Sequence, residues 1–237
     1  LNPNVRSRLV ARELAALDKS GQSYFAPAPQ LEALRTVLSL ATSKIGSHQP
    51  DWNPLSLERQ QVSFVDVERA YFNAKLDPLS KPVFVDLPPE DPDSGSMCAQ
   101  LLRHMYGTRG AADGWQEEYS TALISLGFRQ GESCPNVFWH AAKDVCCSVH
   151  GDDFTVMGSD HVRTWFQETF ATHFEIKIRG RLGSDTPDTK SLRILNRVAQ
   201  WTSSGYTYES DQRHVEVLTQ TSDIQSAACT PGTKRPF

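Results

Sequence analysis

Apolar positions along the chain follow helical spacing in four segments. The spacing of leucine and valine predicts a first helix over 29–46. It predicts further helices over 113–128 and 159–174, the latter with Ser159 as its N-cap. A last helix is expected in "DQRHVEVLTQTS" (211–222). Each of these helices has an apolar face that must be buried against another element.

Short apolar runs between the helices predict strands. "VSFVDV" (62–67) is one strand, and a short helix follows it. "KPVFVDLPPEDPDSGS" (81–96) predicts a short strand and then a loop rich in Pro and Asp. "NVFWHA" and "KDVCCSVHGDDFTVMGS" predict three strands, and "QWTSSGYTYES" a hairpin. This order predicts an α+β fold, with a small antiparallel sheet and helices packed on one of its faces.

Composition and charge are those of an ordinary globular protein. The 237 residues suffice for one large domain or two small ones, with 39% hydrophobic and 22% charged residues. A net charge of -4 excludes a strongly basic protein, but not a locally basic groove. The five cysteines lack CxxC or zinc spacing, so reduced intracellular thiols are expected. No run of 18 apolar residues predicts a membrane span, and we expect no signal peptide.

Two adjacent carboxylates, Asp152 and Asp153, lie in the turn between two apolar runs. Such a pair repels and loses hydration, although Asp is also a common residue of solvated turns. Asp66 adds a third acid at the end of the predicted strand 62–67. Three acids at strand ends of one sheet would suit hard divalent cations, and two such ions roughly 3.5–4 Å apart support phosphoryl displacement. The residues alone leave open a solvated turn or a metal site.

Six blocks in order along nearly the whole chain carry a family resemblance. They are "VRSRLVARE", "PQLEALRTVLSLA", "VDVERAYFNAKL", "LLRHMYGTRGAADGWQEEY", "LISLGFRQGESCPNVFW" and "VHGDDFTVMGSD". Together they resemble the reverse transcriptase region of copia-type retrotransposon polyproteins. The last block stands where that family has Tyr-Val-Asp-Asp.

The resemblance implies the fingers and palm of a right-hand polymerase, an RNA-directed DNA polymerase that uses two Mg²⁺ ions, with Mn²⁺ as a substitute. Asp66, Asp152 and Asp153 would be the catalytic acids. Asp66 and Asp152 would ligate both ions, Asp153 would complete the cluster, and Val67 would contribute its carbonyl. The basic stretch 177–181 would follow a nucleic-acid backbone, or form a solvated basic turn.

The resemblance also implies residues that bind the incoming nucleotide. Arg6 and Arg8 would hold the triphosphate, Arg109 would lie beside the nucleotide, and the ring of Tyr71 would lie under the sugar. Without the resemblance, Arg6 and Arg8 would be read as residues on the solvated face of a strand. Arg109 would be read as a surface residue before a helix, and Tyr71 as a core residue of a helix.

The implied partners are an RNA or DNA template-primer, deoxynucleotides, and the rest of a Gag-Pol-type polyprotein with integrase and RNase H, but no membrane. The chain begins with Leu1 rather than Met and ends in a loop-like stretch. We therefore expect residues 1–237 to be a fragment that lacks thumb, connection and RNase H, although processing or an incomplete gene model would look the same. The expected location is the cytoplasm, in a virus-like particle, or the nucleus.

Several positions depart from the family pattern. His150-Gly151 replaces Tyr-Val, Gly110 and Ala112 replace Gln and Pro, and "RILNRV" (193–198) stands where Phe-Leu-Gly is expected. One alternative is therefore a decayed or domesticated element that at most binds nucleic acid. Viral RNA-dependent RNA polymerases also carry Gly-Asp-Asp. Those enzymes usually have a second Asp soon after the first metal-binding Asp. This chain has the aromatic ring of Tyr71 there instead, which favours a polymerase that uses deoxynucleotides.

Overall fold

The computed structural model describes residues 9–14, 24, 26, 31–42, 60–77, 79, 81–183, 187–195, 197–210 and 212–221. Arg6 and Arg8 lie outside these residues, so their predicted roles stay predictions. The chain divides into two compact units, Leu1–Arg181 and Leu182–Phe237. Within the described ranges, no helix is both long enough and apolar enough to cross a membrane.

The first unit has an α+β architecture, which confirms the predicted fold class. Six of its strands form one sheet in the order β4-β5-β6-β7-β1-β8, and β2 pairs with β3 separately. The pairs from β4 to β1 along this order are antiparallel. Its described elements in chain order are α1 (Leu31–Thr42), β1 (Gln61–Val67), α2 (Ala70–Asn73), β2 (Phe84–Asp86), β3 (Cys98–Gln100), α3 (Ala111–Ser125), β4 (Arg129–Gln130), β5 (Val137–His140), β6 (Val145–His150), β7 (Asp153–Gly158), α4 (Asp160–Phe170) and β8 (Ile176–Leu182).

The main hydrophobic core lies between this sheet and the helices α3 and α4. Because side chains alternate across a strand, Val65 and Val67 of β1 point into this core and Asp66 points to the other face. The helices contribute large apolar side chains that are buried or nearly so: Trp115, Tyr119, Leu123, Val162, Phe166 and Phe170. The core therefore packs against the face of the sheet opposite the one that carries Asp66.

Helix α1 covers the opposite face of the sheet. It contacts β1, β6 and β7, yet its buried residues Leu34, Val37 and Leu38 lie outside the main core cluster. The prediction that the helices pack on one face was therefore wrong. An amphipathic pattern shows that a helix buries one side, but it does not show which face of the sheet receives it.

A fully buried arginine joins α4 to β1. Arg163 is 0% exposed, and its guanidinium donates to Ser63 Oγ at 2.9 Å, to Gln61 and to Asp160 at 3.1 Å. Buried charges persist only with such partners. Ser159 occupies the N-cap position of α4 as predicted, but its hydroxyl pairs with His161 Nδ1 at 3.1 Å instead of capping the helix.

In its described residues, the second unit contains a three-stranded sheet and one helix. Its elements are β9 (Ser191–Ile194), β10 (Arg197–Thr202), β11 (Gly205–Ser210) and α5 (Gln212–Thr221). Strands β10 and β11 form an antiparallel hairpin, and β9 pairs with the other edge of β10. The predicted hairpin and final helix are therefore both confirmed.

Candidate active site

The antiparallel pairing of β1 with β7 places the three acids together. Asp66 is directly opposite Asp153, and directly opposite residues project from the same face of a sheet. Asp152 precedes β7, and its carbonyl accepts a hydrogen bond of 2.9 Å from the Val67 N–H. Asp66, Asp152 and Asp153 therefore lie at one end of the same strand pair. The Val67 side chain is buried in the core.

Asp153 is partly buried beside two other carboxylates. Burial and the neighbouring Asp152 raise its pKa from the ordinary 3.8 to about 6, Arg179 opposes this increase, and Asp66 adds to it. The ionised form of Asp153 is disfavoured because it loses hydration and meets two other carboxylates. A cation at this place would offset that repulsion.

The raised pKa predicts a pH-dependent stability in the absence of divalent cations. The unfolded chain ionises Asp153 near pH 4 and the folded chain near pH 6, so stability falls as pH rises through this interval. Asp153→Asn should remove this fall and gain about 1–2 kcal/mol at pH 7, after allowing for solvent screening of a half-buried group. Urea unfolding at several pH values, in the presence of a chelator, would measure the difference. Parallel pH profiles for the two proteins would contradict it.

Arg179 of β8 pairs with the first of the acids. One guanidinium nitrogen lies 3.1 Å from Asp66 Oδ1, with the Asp66 side chain 18% exposed and that of Arg179 53% exposed. The contact arises because β8 is the neighbour of β1 in the sheet. The sequence pattern shows Arg179 only as part of a basic stretch, because its pairing with Asp66 depends on strand order.

The donor set fits a hard divalent cation, but the side chains do not yet converge on one. Within the described part of the chain, no three His, Cys, Asp or Glu side chains are grouped as a metal site. Carboxylate oxygens are nevertheless the ligands that Mg²⁺ and Mn²⁺ take. After burial, the carboxylates of Asp152 and Asp66 are what raise the pKa of Asp153, so three acids share this place. A cation bound here would compete with Arg179 for Asp66.

Removing Arg179 should therefore strengthen cation binding. Arg179→Gln should lower the Mn²⁺ dissociation constant by about two- to fivefold, the value of a partly exposed ion pair. Isothermal titration calorimetry measures it directly. Arg129→Gln is the matched control, because it removes the same charge from β4 at the other edge of the sheet. Equal or weaker Mn²⁺ binding by Arg179→Gln would show that Arg179 does not compete.

The turn before β7 depends on a glycine. Gly151 has a φ of +63°, and no heavy atom lies within 4 Å of the position that a Cβ would take. Side chains are disfavoured at positive φ, and branched ones such as valine most of all. Glycine at this position therefore suits the backbone of this chain, although the family pattern has Val here.

Restoring the family residue should destabilise the turn. Gly151→Val should lower the free energy of unfolding by about 1–2 kcal/mol through backbone strain alone, since the space around the Cβ is open. Gly151→Asn should cost less, because asparagine tolerates the left-handed region. Urea denaturation of the three proteins tests the order of stability. Equal stability of the Val and Asn variants would argue against strain at this turn.

Tyr71 lies on α2 beside the acids' strand and is partly buried against the core. Its ring centroid lies 4.8 Å from that of Tyr106, at an interplanar angle of 56°. The Tyr106 carbonyl accepts the Ala11 N–H at 2.7 Å, and the Gly107 carbonyl accepts the Glu13 N–H at 3.2 Å. The described segment 9–14, which follows Arg8 directly in the sequence, therefore lies beside Tyr106, whose ring packs against that of Tyr71.

Arg109 contacts the same amino-terminal segment. Its backbone N–H donates to Glu13 Oε2 at 2.8 Å, and its guanidinium lies 5.0 Å from the centre of the Tyr24 ring. A Cβ at Gly110, where the family has Gln, would come within 3.0 Å of the Tyr24 ring. Glycine therefore leaves room for Tyr24, and the nucleotide-binding role of Arg109 stays a prediction.

Comparison with known sequence families gives a match over most of the chain. No curated protein matches the chain significantly. The sequence model of a family described as reverse transcriptase (RNA-dependent DNA polymerase) matches residues 4–184. This range contains the three acids, Tyr71 and Arg179, and it covers the first compact unit almost completely. The chain belongs to the reverse transcriptase (RNA-dependent DNA polymerase) family.

Proposed function

We propose that the chain is an RNA-directed DNA polymerase of a copia-type retrotransposon, made as part of a Gag-Pol-type polyprotein, that adds deoxynucleotides to a primer 3′-OH. The observation that carries this proposal is the direct pairing of Asp66 with Asp153, beside Asp152, in a chain of the reverse transcriptase family. The proposal assigns this end of the β1–β7 pair to nucleotidyl transfer.

The acids would provide the cation site of this polymerase. Asp66 and Asp152 would hold two Mg²⁺ or Mn²⁺ ions, completed by Asp153 and the Val67 carbonyl. When bound, such ions lower the pKa of the attacking hydroxyl and neutralise charge on the transferred phosphate. Asp153 would add its negative charge to the potential that attracts these cations.

Residues around the acids would bind the nucleotide and the nucleic acid. Arg6, Arg8 and Arg109 would bind the triphosphate, and Tyr71 would lie beneath the sugar. The contact of segment 9–14 with Tyr106 supports this arrangement, because it brings the chain that follows Arg8 next to the Tyr71 ring pair. The template-primer would follow the basic stretch 177–181.

Primer extension tests the function. The chain is incubated with an RNA template, an annealed DNA primer and deoxynucleotides, in Mg²⁺ and separately in Mn²⁺, and the product length is measured. We expect extension by the wild type and none by Asp66→Asn, which keeps the size of the side chain but removes its charge. Extension that is equal in the two proteins would assign the activity to a contaminant and overturn the proposal.

A second candidate is a decayed or domesticated element that binds nucleic acid without turnover. The ion pair of Arg179 with Asp66 favours it, because the arginine occupies one oxygen of a carboxylate that the polymerase would need for its cations. Fluorescence anisotropy of a labelled template-primer separates the candidates. Binding by a folded protein that extends no primer in either cation would support the second candidate and contradict the first.

A further inference from the structure

A tryptophan of α3 reaches the turn that carries Asp152. Trp115 is 1% exposed, and its indole Nε1–H donates to the Gly151 carbonyl at 2.8 Å. That carbonyl and the N–H of Asp152 belong to one planar peptide unit. The hydrogen bond therefore restrains the orientation of the peptide plane between Gly151 and Asp152.

The Trp115 ring is itself held by its neighbours in the core. Its centroid lies 5.1 Å from that of Phe174, 5.5 Å from Tyr119 and 6.4 Å from Phe154, each in an edge-on arrangement. Such contacts fix the ring orientation as well as burying it. The indole N–H is thus a rigid donor that projects from α3 to the turn.

Two successive carbonyls of the turn are anchored to two different elements. Trp115 of α3 binds the Gly151 carbonyl, and Val67 of β1 binds the Asp152 carbonyl at 2.9 Å. The backbone of Asp152 is therefore restrained on both sides, and one restraint comes from the strand that carries Asp66. Gly151 has no side chain to restrict its own backbone, so this turn needs external anchors.

We propose that Trp115 is a positioning residue of the catalytic centre, whose indole N–H sets the orientation of Asp152 relative to Asp66. The inference rests on the proposed polymerase function. A merely structural Trp115 would fill the core, and loss of its N–H would leave cation binding and turnover unchanged. A positioning Trp115 would affect both, because displacements of about 1 Å at a reacting centre reduce rates by about 100-fold.

The test compares Trp115→Phe with Trp165→Phe. Both remove an indole in favour of a smaller ring, but Trp165 belongs to α4 and packs against Phe128 and His140. For Trp115→Phe we expect kcat to fall about 10- to 100-fold with KM for deoxynucleotide within about twofold. We also expect its Mn²⁺ dissociation constant to rise severalfold, whereas Trp165→Phe keeps wild-type values for both.

The Mn²⁺ titration needs no polymerase activity, so it distinguishes the two proposals. A wild type that binds Mn²⁺ but extends no primer contradicts the polymerase, and weaker Mn²⁺ binding by Trp115→Phe still supports the positioning role. A folded Trp115→Phe protein that binds Mn²⁺ and turns over like Trp165→Phe would overturn the inference.

A measurement on the wild type covers the case in which Trp115→Phe does not fold. In a ¹⁵N-labelled protein, Mg²⁺ should shift the indole N–H resonance of Trp115 more than that of Trp165, with the resonances assigned from the other Trp→Phe variants. An unchanged Trp115 indole resonance at saturating Mg²⁺ would count against the coupling between this hydrogen bond and the acids.

Discussion

Asp152→Asn should reduce primer extension by about 10³-fold or more while the protein stays folded. The substitution keeps the shape of the side chain and removes the charge that would hold the cations and stabilise the transition state. Asp152 is exposed in the turn, so its side chain adds little to the core. Without Mg²⁺ the melting temperature should stay equal or rise, because a carboxylate that repels Asp153 is gone.

Steady-state extension assays and thermal melts with and without Mg²⁺ measure both effects. Asp93→Asn is the matched control, since it makes the same change in the exposed loop between β2 and β3. If Asp152→Asn extends primers at the same rate as Asp93→Asn, Asp152 is not part of the catalytic centre. A large loss of melting temperature would instead make the lost activity a folding effect.

Tyr71→Ala should admit ribonucleotides. A ring under the sugar would clash with the 2′-OH, which is the group that distinguishes RNA precursors from DNA precursors. We expect the preference for deoxynucleotides to fall by about 10- to 200-fold, the range typical of steric discrimination in a pocket. The position suits this role, because α2 follows directly on the strand of Asp66 and the Tyr71 ring lies against Tyr106.

The ratio of incorporation efficiencies for deoxynucleotide and ribonucleotide decides between two roles of Tyr71. Tyr71→Phe keeps the ring and should keep the ratio. If Tyr71 only packs against the core, Tyr71→Ala should lower the free energy of unfolding. Truncation of a fully buried aromatic costs about 3–5 kcal/mol, and Tyr71 should cost less because it is only partly buried. An unchanged ratio in a folded Tyr71→Ala protein would rule out the sugar-selecting role.

Local patterns account for the elements of the site that sequence analysis predicted. The apolar runs on both sides of Asp152 and Asp153 become β6 and β7, and the run before Asp66 becomes β1. The predicted helix 113–128 is α3, with Trp115 and Tyr119 buried as its spacing indicated. Such features depend on neighbours a few residues apart, so the sequence displays them directly.

Helix ends and caps were less well predicted. Within 159–174 the helix α4 extends only over Asp160–Phe170, and the Ser159 hydroxyl turns to His161. Arg163 was missed entirely, because an arginine in an amphipathic helix is normally exposed. Its burial depends on Ser63 and Gln61, which lie about 100 residues earlier in the chain.

The sequence by itself determined the α+β class, the apolar strands before Asp66 and on both sides of the Asp152-Asp153 pair, and the family, because these depend on periodicity and on motif order. Asp153 was predicted in the turn, but it is the first residue of β7. Only the tertiary structure decided that Arg179 pairs with Asp66, that α1 covers the second face, and that Trp115 anchors the Gly151 carbonyl. The two hydrogen bonds among these contacts join residues 36 and 113 positions apart. They follow from the strand order β7-β1-β8 and from which face each helix covers, and both are set by packing of the whole unit rather than by any local pattern.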